Sequence, residues 1–123
     1  MDLILLPDTL SICRLPKDAP VPQWALSASF YSMVRTEEEL SIVCPEGHPP
    51  PDIQTNTGWR ALKVQGPLDL RETGVLAGLS APLAEAGIPV FAISTFNTDY
   101  LLLKKADLTR AIRVLSPAHT VHT

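Results

Sequence analysis

Apolar and polar positions alternate over residues 10–14 and again over 59–66, the period of two that turns one face of a strand toward a core. Between these runs the pattern changes twice. Residues 16–22 are rich in proline and make a turn, and residues 24–28 read as a short helical segment. Residues 30–34 and 40–44 are two more β-runs, joined by the charged stretch Arg35-Thr36-Glu37-Glu38-Glu39. So short a connection makes them an antiparallel hairpin, because a parallel crossover needs far more chain.

Residues 45–52, "PEGHPPPD", hold four prolines in eight positions and cannot form a regular helix or a central strand; "IQTNTG" extends them as a polar loop. The boundary between halves falls here, giving units 1–58 and 59–123. In the second half the order returns. The strand over 59–66 leads to a helix over 74–87, with Val75, Leu79, Leu83 and Ala86 at helical spacing and Pro82 predicted to bend it. The stretch "PVFAISTFNTDYLLLKK", residues 89–105, is a second hairpin with a polar centre. Asp107 is a candidate N-cap for a last helix striped by Leu108, Ala111, Ile112 and Leu115, which ends before Pro117; residues 119–123 read as a mobile tail.

A shift of sixty positions lays one hairpin on the other, with Arg35 to Glu39 over Thr95 to Asp99, a repeat stronger in pattern than in residues. Two such units imply an α+β fold of two ferredoxin-like units in tandem, with antiparallel sheets that carry helices on one face. Each unit is one strand short. The apolar run Leu3 to Leu6 is a candidate for one missing strand, and exchange between halves or between chains for the rest.

Composition narrows the function more than the fold. The chain has 123 residues, 46% hydrophobic and 19% charged, which suits one compact unit or two small ones and not a disordered chain. A net charge of -3 offers no basic field for nucleic acid. The run at Leu3 follows an acidic residue and stops at Pro7, too short for a signal peptide or a membrane span, so a cytoplasmic location is expected. Cys13 and Cys44 sit in apolar runs as small buried hydrophobes. His48, His119 and His122 do not make a zinc set, and neither metal nor cofactor is expected.

Candidate chemistry gathers in "GPLDLRETGV", residues 66–75, between a strand and a helix. Thr73 is a good N-cap, and Gly74 lets a ligand approach the first helical turn, where free N–H groups and the helix dipole favour a carboxylate. Glu72 beside it would attract an ammonium or guanidinium group. In an antiparallel sheet the second hairpin lies beside this loop, so Ser94, Thr95 and Asp99 face the same rim and Asp99 adds a second carboxylate. Phe96, an aromatic between polar residues, is a candidate lid. The plainer reading is a capped loop with a solvated Glu72 and a turn aspartate at 99. The charged turn over 35–39 has no glycine helix beside it, so one site per chain is expected.

Taken together, the elements "ETGV", "PLAEAGIPV" and "ISTFNTDY" resemble the second unit of small tandem ACT-domain proteins, a family that includes the animal cytosolic arginine sensor and, more distantly, the regulatory tails of aspartate kinases. The resemblance implies paired ferredoxin-like βαββα units that bind amino acids at unit interfaces. It implies that Glu72, Thr73, Gly74 and Val75 line the ligand, that Ser94, Thr95 and Phe96 close it, and that Asp99 meets a basic end. Arg71 stands where the arginine sensor has an acidic residue and Tyr100 where it has histidine, so the amino acid is left open. That sensor has four units and this chain has two, which makes a homodimer the expected partner arrangement. The function this points to is a non-catalytic amino-acid sensor; the alternative is an interaction or dimerisation module with a vestigial pocket. Glu72 and Asp99 could be drawn as acid and base, but no nucleophile, metal set or phosphate loop accompanies them.

Overall fold

The computed structural model describes residues 1–123 and divides into two compact units. Asp8–Trp59 forms the N-terminal unit, while Met1–Pro7 joins Arg60–Thr123 in the C-terminal unit. The first seven residues therefore go with the second half of the chain rather than with the residues that follow them.

The N-terminal unit is an antiparallel sheet of β2 (Leu10–Leu15), β3 (Ser32–Arg35), β4 (Leu40–Pro45) and the start of β5 (Gln54–Val64), in the order β3-β4-β2-β5. Cys13, Leu15, Leu40, Ile42 and Cys44 are buried together on one face, closed by Ala25. The thiols of Cys13 and Cys44 are hydrogen-bonded partners in that core, which pushes the Cys13 thiol up and the Cys44 thiol down. Two expectations change here. The helix over 24–28 is only a 3-10 turn, Gln23–Ala25, because Pro20 and Pro22 hold the chain extended up to it and serines follow it. The polar loop "IQTNTG" is strand from Gln54 onward, paired as Gln54 with Arg14, Thr55 with Cys13 and Asn56 with Ile12. Its first four side chains are all exposed, so no apolar alternation marks it.

In the C-terminal unit β6 (Val90–Ser94) pairs with β7 (Asp99–Lys104), β7 with β5, β5 with β1 (Asp2–Leu5), and β1 with β8 (Thr120–His122). Helices α1 (Val75–Glu85) and α2 (Leu108–Leu115) pack on this sheet. Leu79 and Leu83, one turn apart on α1, and Ala111 and Leu115 on α2 bury against Leu3, Leu62, Val64, Leu101 and Leu103. Each fully buried leucine contributes about 1.5–3 kcal/mol, so this face fixes the helices to the strands. The run at Leu3 supplies a strand here, antiparallel to β5 with Leu3 opposite Val64. Asp107 stands at the N-cap of α2, yet its carboxylate pairs with Arg110 at 3.3 Å and makes no capping bond.

The hairpins correspond at a shift of fifty-nine, not sixty. Arg35 pairs with Leu40 where Ser94 pairs with Asp99, and Thr36 hydrogen-bonds Glu39 where Thr95 hydrogen-bonds Thr98. One residue matters because a one-place slip moves every strand side chain to the other face.

Residues 119–123 are no loose tail. Thr120–His122 is β8, parallel to β1 with Leu3 opposite Val121, and His122 Nε2 lies 3.0 Å from Asp2 Oδ1. Pro82 has no N–H to give the carbonyl of Gly78 one turn back, and His119 Nε2–H donates to that carbonyl at 3.3 Å. The proline inside the helix and the ordered terminus are thus two ends of one hydrogen bond. His119→Ala should lower stability by about 0.5–1 kcal/mol in denaturant unfolding. In a Pro82→Ala background, where the introduced alanine supplies an N–H for the Gly78 carbonyl, the same change should cost almost nothing; equal costs in both backgrounds would refute the link.

Candidate functional site

The loop between β5 and α1 is stitched to the β6–β7 turn by backbone chemistry. Leu68 N–H donates to Asn97 O at 2.7 Å, and Thr98 Oγ1–H donates to Val64 O at 2.5 Å. Gly66 allows this approach, since a Cβ there would stand 2.9 Å from Asn97 O and 3.0 Å from Leu68 N. The turn closes on itself, with Thr95 N–H donating to Thr98 O at 2.8 Å and Thr98 N–H donating to Thr95 Oγ1 at 3.2 Å. Loop and turn are each held before any ligand is considered.

Within the loop, Glu72 N–H donates to Asp69 O at 2.9 Å and Asp69 N–H returns to Glu72 Oε1 at 3.2 Å. Arg71 grips the Asp69 carboxylate through its guanidinium, at 3.1 and 3.2 Å, and through its backbone N–H at 2.8 Å. These bonds hold the Asp69 carboxyl below the usual range, the guanidinium first and the backbone second. The chain then enters α1 through Gly74, which sits at φ +79° and takes the N-cap position expected of Thr73. That left-handed conformation is adopted at little cost only by glycine. No side chain caps α1, so its first-turn N–H groups stay open.

Across the hairpin, Ser94 Oγ–H donates to Asp99 Oδ1 at 2.6 Å, so Asp99 is tied to its strand partner rather than to its own turn backbone. A cavity of about 240 Å³ lies between loop and turn. Of the eight residues singled out by sequence, Glu72, Val75, Ser94, Thr95, Phe96 and Asp99 line it. Thr73 and Gly74 do not; Gly74 sets the path into the helix. Leu68, Asp69, Leu70, Asn97 and Thr98 also line it and were not anticipated. Their signal was their position in the same two loops, with no residue type that stood out.

The wall carries three carboxylates, Asp69, Glu72 and Asp99, and no cation. With Asp69 matched by Arg71, the charge left to a ligand is that of Glu72 and Asp99, which attracts a cationic group. Leu70 and Phe96, 69% and 80% exposed, form an apolar rim. The three histidines are elsewhere: His48 in the N-terminal unit, His119 on Gly78 and His122 on Asp2.

The family model for the ACT domain matches residues 54–117, more than half of the chain. The chain belongs to the ACT-domain family. A second family model, for an N-terminal domain, matches residues 8–52, which lie within the N-terminal unit. The chain is 32% identical over 114 residues to the cytosolic arginine sensor for mTORC1 subunit 1 of Pongo abelii, covering 83% of this chain and 34% of that protein. It thus spans about a third of the length of that relative. Among solved structures, protein Atu0741 from Agrobacterium tumefaciens superposes with a TM-score of 0.93 at 37% identity, covering 98% of this chain and 91% of that one. The regulatory subunit of aspartate kinase from Thermus thermophilus superposes at 0.67 with 12% identity, over 94% and 96%, which shows a shared fold. No helix of the ACT protein is long and apolar enough to cross a membrane.

The two helix glycines should respond in opposite directions. Gly74→Ala has open space around it yet forces φ +79° on alanine, and should cost about 1 kcal/mol. Gly78→Ala, inside α1 with equally open space, should gain about 0.5–1 kcal/mol; chemical denaturation of both reads the signs directly. In an NMR pH titration the Asp69 carboxyl should ionise below an ordinary aspartate and return upward in Arg71→Gln.

Proposed function

We propose that this ACT protein is a non-catalytic regulatory module that binds an amino acid in the cavity between the β5–α1 loop and the β6–β7 turn. What carries the reading is the convergence of Glu72, Val75, Ser94, Thr95, Phe96 and Asp99 on one cavity beside an uncapped helix start. About 240 Å³ lies below the range of pockets for drug-sized ligands, and suits something smaller. A zwitterion answers both poles: its carboxylate meets the open N–H groups of α1, and a cationic group meets Glu72 and Asp99. The named relatives, an arginine sensor and an aspartate kinase regulatory subunit, support a regulatory role and a ligand of this class.

Leu70 and Phe96 at the rim favour a second surface closing over the ligand, and a homodimer is the reading we adopt for it. A cytoplasmic setting goes with the cytosolic arginine sensor. If the cavity is vestigial and only the rim acts, the chain is an interaction module.

The test is a thermal-shift screen of the common amino acids. At least one should raise the midpoint, since a ligand at a hundred times its Kd stabilises by about 2.7 kcal/mol. Glu72→Ala and Asp99→Asn should each remove the shift without lowering the ligand-free midpoint by more than a few degrees. No shift from any amino acid, with mass measurements unchanged by Phe96→Ser, would sink both the sensor and the rim-dependent dimer.

A further inference from the structure

The β6–β7 turn has a second side. Side chains alternate along β7, so Asp99 faces the acidic cavity and Tyr100 faces the opposite surface of the sheet. On that surface a separate depression of about 310 Å³ opens between Ile4 of β1, Lys63 of β5, Gln65, Gly66 and Tyr100, and the turn closes it with Asn97 and its threonines. Ile4 and Lys63 are directly opposed in the β1–β5 pairing, which places the ammonium stem against an apolar neighbour.

Its chemistry is the reverse of the first cavity. Lys63 is the one formally charged side chain in the lining; Asp2, two residues before Ile4 on the same face of β1, lies outside it. The ammonium makes no ion pair, and the side-chain amides of Gln65 and Asn97 donate to nothing within the protein. Asp2, whose carbonyl accepts from Gln65 N–H, has its carboxylate occupied by His122 Nε2 at 3.0 Å. A residue with a cationic side chain and two with unpaired amides therefore line one depression, together with Ile4 and Tyr100. Lys63 is half-buried, so its charge is screened less than that of a lysine extended into solvent.

We propose that this depression is a second ligand site, distinct from the amino-acid cavity, which takes a small anion. The Lys63 ammonium would bind its charge, with the Gln65 and Asn97 amides donating to its oxygens. A compact carboxylate and an inorganic phosphate share this chemistry, and the test separates them. Thr95, Asn97 and Thr98 line both cavities, so the turn backbone reports on either.

The experiment is an amide-resolved NMR titration of the full chain with sodium succinate and, separately, sodium phosphate, at constant ionic strength set by sodium chloride. The expected result is saturable movement of the Gln65, Gly66, Asn97 and Tyr100 amides by at least one of the two, and the arm that saturates names the anion class. Lys63→Met should weaken that binding at least about tenfold, while Lys63→Arg retains it. Glu72→Ala, outside this lining, should not weaken the binding, so failure of the amino-acid reading does not touch this one. Non-saturating shifts in both arms, equal to those from chloride, would overturn the proposal. So would saturable binding that survives Lys63→Met or is lost in Glu72→Ala.

Discussion

Strand β5 is the constraint on which both units depend. Its eleven residues, Gln54–Val64, complete the N-terminal sheet beside β2 and then run on as the strand of the C-terminal sheet that leads into the site loop. In the same way the chain gives β1 to the C-terminal unit before β2 opens the N-terminal one. The C-terminal unit thereby gains a strand from outside its own contiguous stretch. A strand paired with its neighbours cannot shift register without moving its side chains to the wrong face, so the start of the loop at Gln65 is fixed by pairings at Val64 and Leu62.

From that fixed point the site follows in two steps. Gly66 lets the loop come within hydrogen-bonding distance of the β6–β7 turn, and the Leu68–Asn97 and Thr98–Val64 bonds hold the two together. Gly74 then turns the chain into α1 with an uncapped start. The polar residues of the turn need no further support to stand opposite Glu72. Their preorganisation is backbone work, which would spare a ligand the entropy of ordering two loops. Alternation along β7 assigns neighbouring residues to different surfaces, so Asp99 and Tyr100 serve cavities of opposite electrical character.

Much of this was legible in the residues. The hairpins, the α1 stripe of Leu79 and Leu83, and the loop holding Glu72 all follow from period and turn chemistry, because core-facing positions must be apolar. What escaped had no apolar signature. Gln54 to Thr57 are exposed on both faces yet form strand, because β2 offers them a backbone edge. His119 to His122 likewise order through β1 and the carbonyl that Pro82 leaves open. Thr73 has the residue type of a cap, yet Gly74 takes the position because the path into the helix needs a positive φ.

By itself the sequence determined which segments are strand, helix and turn wherever one face is buried, and it determined the loops on which chemistry could stand. Pairing was decided by tertiary structure alone: which unit receives Met1–Pro7, the register offset of fifty-nine between hairpins, and the meeting of Glu72 with Asp99 across one cavity. The reason is physical. Burial leaves a local trace in residue type, whereas backbone hydrogen bonds between distant strands are made by groups every residue carries, and so leave none.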